Sequence, residues 1–190
     1  MGLSLITPPA AEPLTLVEAK LHLKVDLSDD DVLVTALIVA ARTAVENYLS
    51  RSLIEQTWRQ TFCNWRIQLE RPPHIAITEV SYIDVDGDTQ TLASTEYQAD
   101  LSGDQPARVV PAYGAAWPDF RTETLNPIAV EFEAGYGDAA EDVPAPIRSA
   151  MLLMIGHLYT NREAVNIGNI VNVIPLAVQW LLDPYRTLYQ

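Results

Sequence analysis

Val32-Leu-Val-Thr-Ala-Leu-Ile-Val-Ala-Ala-Arg-Thr-Ala-Val-Glu-Asn-Tyr-Leu49 runs for eighteen residues without a proline or a glycine. Within it, Val32, Ala36, Leu37, Ala40, Ala44, Val45, Tyr48 and Leu49 recur at three- and four-residue steps, the period of one helix face. Arg42 and Glu46 stand four apart and can pair on the helix surface. Upstream, Ser28 or Asp29 can cap the first turn, and the acids at 29–31 suit its positive end. The spacing predicts a helix over 29–50 that buries Leu37, Ala40 and Tyr48.

Working outward, Leu14-Thr-Leu-Val-Glu18 reads as a capping box with Thr15 at the N-cap and Glu18 three residues on. It opens a short helix over 15–24. Residues 54–134 change texture to β-formers: Gln56–Phe62, Ile67–Glu70, Ile77–Val85, Thr89–Leu92, Glu96–Leu101, Arg108–Val110 and Ile128–Ala134. Asp86-Gly87 is a two-residue hairpin signal of type I′. Pro144 and Pro146 suit the first turn of a helix over 144–161, whose apolar stripe includes Met151, Met154 and Leu158. Ile167–Ile174, apolar but broken by Gly168 and asparagines, reads as loop or strand. Pro175–Asp183 can form two helical turns. The layout predicts an α+β fold: a small helical bundle from both chain ends, an inserted antiparallel β block, and a C-terminal extension. The expected division is a body over 1–162 and an extension over 163–190.

The chain has 190 residues, 48% of them hydrophobic, and a formal net charge of −13. That composition excludes a disordered chain. A lone Cys63 excludes an intrachain disulfide framework. No uninterrupted apolar run approaches the ~20 residues of a membrane span, and no secretory pattern opens the sequence, so no membrane partner is expected. Residues 84–142 hold thirteen acids against Arg108 and Arg121. Tight nucleic-acid binding needs cations to displace phosphate counterions, and this chain has only twelve, none clustered.

No catalytic, metal or cofactor motif is present. His22, His74 and His157 are widely separated and lack ligand spacing. Asp84-Val-Asp-Gly-Asp88 has its glycine at position 4, where a calcium loop needs it at position 6, so it reads as a turn with solvated acids. Glu131 and Glu133 share a strand face, as glycosidase acids would, but acids on the wet face of a half-buried strand look the same. What stands out is the apolar, aromatic end: Leu176, Trp180, Leu181, Tyr185, Leu188 and Tyr189. Aromatic residues commonly anchor interfaces, and termini equally often dock on their own domain. Two function classes fit the residues alone: an acidic binding or regulatory module without activity, and an enzyme working through carboxylates such as Asp84 or Glu131.

A family resemblance adds to this. Leu14-Thr-Leu-Val-Glu-Ala-Lys-Leu-His-Leu-Lys-Val-Asp26 with Asp29-Asp-Asp31 resembles the opening of tailed-phage head–tail connector (adaptor) proteins of the gp6-like and phiE125 gp8-like group. In the same order follow Arg51-Ser-Leu-Ile-Glu-Gln-Thr-Trp58, Val80-Ser-Tyr-Ile-Asp-Val-Asp-Gly87, Trp117-Pro118, Ala134-Gly-Tyr-Gly137 and Val143-Pro144 with Ile147. His157-Leu-Tyr-Thr-Asn-Arg-Glu163, Pro175 and Leu181-Leu-Asp-Pro-Tyr-Arg186 complete the series. Ser50 departs from the glycine expected before Arg51. The resemblance implies a structural, non-enzymatic virion protein of a phage, prophage or gene transfer agent. It would form a ring, generally twelve-fold, beneath the portal, and join the DNA-filled capsid to a stopper or other tail-completion protein. DNA would only pass through, without tight binding, and no cofactor is implied. The expected portal contact is the C-terminal segment, with Leu176, Trp180, Leu181, Tyr185 and Arg186 as anchors.

Overall fold

The computed structural model describes residues 2–103, 105–161 and 176–187. Thr15 caps α1 (Leu16–Leu23): its hydroxyl accepts the Glu18 N–H at 3.2 Å, and Glu18 Oε2 accepts the Thr15 N–H at 2.8 Å. Arg148 pairs with the same Glu18, which ties this cap to the last long helix. α1 stops where Lys24 turns left-handed at φ 57°. The next helix, α2, spans Asp31–Leu49, and α3 spans Ala145–Thr160, with Pro144 at its N-cap and Pro146 in its first turn. A fourth helix, α4, covers Leu176–Leu182 and runs into a single 3-10 turn, Asp183–Tyr185.

α3 packs against α1, α2 and α4. α2, packed on α1 and α3, is rotated from the sequence expectation. Its buried residues are Val34, Ile38, Ala41, Val45 and Leu49, with Leu37 and Tyr48 packed at the margin. Ala40, expected in the core, is exposed, as are Ala36 and Ala44, and Val32 is 85% exposed. The helix is apolar nearly all round, so periodicity alone offers two faces. Burying the face with Val34, Ile38, Val45 and Leu49 removes more apolar area from water than burying an alanine face would. On α3, Ile147, Ala150, Met151 and Ile155 are buried, Met154 is half-buried, and Leu158 is exposed.

The β region forms two antiparallel sheets. In the larger, the strand order is β1 (Gly2–Thr7), β2 (Gln56–Phe62), β8 (Ile128–Ala134), β4 (His74–Ile83) and β5 (Thr89–Thr91). β1 was not expected from the pattern; it pairs along β2 from Gly2 opposite Thr61 to Thr7 opposite Thr57. The smaller sheet orders β3 (Ile67–Leu69), β7 (Ala107–Pro111) and β6 (Tyr97–Asp100). Phe62, Leu69, Val80, Val109, Val130 and Phe132 fill a second core on the sheets, separate from that of the bundle. Gly135 closes β8 at φ 149°, where a side chain's Cβ would fall 2.5 Å from the Ile54 and Glu55 backbone, so glycine is required there.

The β4–β5 hairpin differs from the expected two-residue turn. Ile83 pairs with Thr89, and the chain turns through Val85–Gly87 with Gly87 at φ 99°. The Asp84 carboxylate takes over the tip. Its Oδ1 accepts the N–H groups of Asp86, Gly87 and Asp88 at 2.9–3.0 Å. A short polar side chain that satisfies the turn's donors makes the longer connection stable.

Candidate docking surface

α4 divides the expected anchor residues into two groups. Its inward face sets Val178 and Leu182 into the bundle core, with Leu181 and Tyr185 packed half-buried beside them. Its outward face presents Leu176, 58% exposed, and Trp180, 73% exposed, four residues apart and so on the same side. Leu181 and Tyr185 therefore pack partly against their own chain, which leaves Leu176 and Trp180 as the more exposed apolar members of the expected anchor set. Leu188 and Tyr189, and the loop-or-strand reading of Ile167–Ile174, lie outside the described residues.

The grip on this segment comes from the end of α2. Tyr48 donates its hydroxyl to Asp183 Oδ1 at 2.6 Å, and the Leu49 carbonyl accepts the Thr187 N–H at 3.0 Å. Arg51, 3% exposed, donates Nε–H to the Tyr185 carbonyl. Arg186 extends over the Tyr48 ring, 5.3 Å from its centroid, a cation–π contact. The hydrogen bond to Asp183 raises the Tyr48 phenol above its usual range, with burial and the Asp183 charge adding to it. Arg51 was not singled out from sequence for this role. Its only signal is a polar Ser50-Arg51-Ser52 between Leu49 and Leu53, a pattern shared with many solvated helix ends.

The acidic candidates are built into turns and ladders. Asp84 is committed to the hairpin tip, and its carboxyl is held below the usual range, first by Gln90 and then by the turn's N–H groups. Glu131 sits across from Arg59 at 3.3 Å on the outer face of the sheet. Among the described residues no group of His, Cys, Asp or Glu could hold a metal ion.

His74 carries a pH dependence instead. Its Nε2–H donates to the Glu70 carbonyl at 3.0 Å, while buried Nδ1 has no partner. Burial pushes the imidazole down to about 4, against a smaller opposing effect of the Glu70 bond. The unfolded chain protonates it near 6.5, so between those values the unfolded state binds more protons and stability rises with pH. The contribution is complete above about pH 6.5 and is lost on acidification toward pH 4, reaching about 3 kcal/mol. Urea unfolding at pH 7 and pH 4.5 should show a drop of about 2–3 kcal/mol in the wild type and a clearly smaller one in His74→Phe. Equal drops would exclude His74 as the cause.

Comparison with known proteins gives a family match over the first half of the chain and a fold over all of it. Residues 13–106 match the family model of phage gp6-like head–tail connector proteins. Three solved chains superpose over the full length of this one and 97% of theirs. One, from the virion of a native gene transfer agent particle, matches with a TM-score of 0.82 and 23% identity. A second, from the neck of an empty particle computed with C6 symmetry, gives 0.80 and 22%. The third, from the neck of a native particle computed with C12 symmetry, gives 0.77 and 22%. No curated protein matches the sequence.

Proposed function

We propose, from the match of residues 13–106 to the phage gp6-like head–tail connector family, that the chain is the adaptor in the neck of a phage or phage-like particle. In this reading it is made in the bacterial cytoplasm and assembles as a ring, twelve-fold in the particle. That ring sits beneath the portal, carries the stopper or next tail component, and lets DNA pass. The family match carries the reading. The shared fold with chains from gene transfer agent necks, one computed with C12 symmetry, supports it. So does the exposed Leu176 and Trp180 pair, which offers the portal an apolar contact.

The net charge of −13 fits a conduit wall. Phosphates are repelled by it, so DNA slides without being held. One weak contact per subunit is enough for the portal, because a ring repeats it and multivalency raises avidity by about 10²–10⁴. The body, residues 1–162, forms the ring wall, and 163–190 makes the portal contact through the outward side of α4.

The double variant Leu176→Ser/Trp180→Ser tests the contact. Both side chains are exposed, so its melting should match the wild type while co-sedimentation with portal rings falls at least tenfold. Neither protein should co-sediment with duplex DNA at physiological salt. Undiminished portal binding by the variant would remove α4 as the contact.

A further inference from the structure

The unpartnered side of α2 is the remaining feature without a role. From Val32 to Asn47 every exposed position on it, Val32, Thr35, Ala36, Val39, Ala40, Thr43, Ala44 and Asn47, is uncharged. Most of its charged neighbours are paired off it: Arg42 is held by Glu12 at 2.8 Å and Glu46 at 2.9 Å, and Asp31 by Lys20 at 2.6 Å; at its far end Arg71 donates to Asn47 at 2.9 Å. Beside it, α1 exposes Val17 and Leu21, 75% and 79% accessible and four residues apart. The surface is therefore a helix side of about four turns, made of branched residues and alanines and ending at Asn47, rimmed by more exposed aliphatics. A contiguous apolar helix side of this kind marks a contact.

We infer that this side of α2 is where one copy of the chain meets the next, which deepens the adaptor reading and rests on it. The charge distribution selects the occupant. Each copy carries −13, and like-charged copies approach most readily where no acid is presented; the exposed positions of α2 between 32 and 47 provide such a strip. A basic protein would be drawn to the acidic block at 84–142. A membrane surface is the other candidate, because α2 is long and apolar enough by composition to enter a bilayer. Helices that lie on membranes carry free lysine and arginine on their polar side, and here the one cation of α2, Arg42, is paired with Glu12 and Glu46, while Asp31 takes up Lys20. Alanines at 36, 40 and 44 leave a shallow groove into which a neighbour's larger aliphatic side chains can pack, as ridges fit grooves between helices. A ring needs such a contact to be heterologous, with a different surface of the next copy filling the groove.

The test substitutes Ala40→Glu in the full-length chain, at an exposed position, so circular dichroism and melting should not change. Self-association is read by sedimentation velocity up to millimolar protein, alone and with portal rings. The wild type should associate, and Ala40→Glu should do so at least tenfold more weakly. A wild type that stays monomeric in both settings, or a variant that associates equally well, overturns the inference. Flotation with phosphatidylglycerol vesicles that Ala40→Glu abolishes would assign the surface to lipid instead. Self-association lost in Ala40→Glu but with no portal binding by either protein would leave this interface standing and remove the adaptor reading.

Discussion

A chain ending at Pro175 melts far below the full-length protein, or does not fold at all. Val178 and Leu182 are 0% and 1% exposed in the bundle core, and burying each contributes about 1.5–3 kcal/mol. Losing the Tyr185 carbonyl also removes a partner from buried Arg51, at about 1–3 kcal/mol for a buried donor. The sum approaches the roughly 5–15 kcal/mol that a domain has in total. Leu182→Ala should cost about 2–5 kcal/mol by itself, read from urea unfolding. A truncated chain with an unchanged melting midpoint would show that α4 is dispensable to the core. Because truncation and unfolding coincide here, portal binding has to be probed by surface substitutions on α4 and not by deletion.

The second large effect is expected at Glu46. Its side chain is 8% exposed and is shared among three donors. Oε1 accepts the Leu53 N–H at 3.0 Å and the Gln56 amide at 2.8 Å, while Oε2 accepts from Arg42 at 2.9 Å. These contacts join the bundle to the first residue of β2, so one carboxylate links the two halves of the molecule. Glu46→Ala leaves two buried donors unmet and Arg42 half-paired, which should cost about 3–5 kcal/mol. Glu12→Ala, at the exposed end of the same network, should cost about 1 kcal/mol or less. Urea unfolding checks both, and a Glu46→Ala loss below that of Glu12→Ala would contradict the assignment.

Local signals carried most of the architecture. The Thr15–Glu18 box, the prolines opening α3 and the order of strands from Gln56 to Ala134 are short-range chemistry, and all are legible in one sequence. The orientation of α2 was not legible, because Ala36, Ala40 and Ala44 repeat with the same period as Val34, Ile38, Ala41 and Val45. Only tertiary packing chooses between two apolar sides. β1 was missed because six residues without strict alternation carry little pattern of their own; their pairing with β2 is a long-range property. The docking segment was visible as an apolar end. Which of its side chains point inward depends on Tyr48, Leu49 and Arg51, more than a hundred residues earlier, and no local rule reaches that far.

Negative-stain imaging of the full-length chain mixed with portal rings tests the central claim most directly. The account predicts portals extended on one side by an added ring, twelve-fold in averaged end views, with an open central channel. Bare portals at saturating protein, or protein scattered over the portal without a ring, would contradict it.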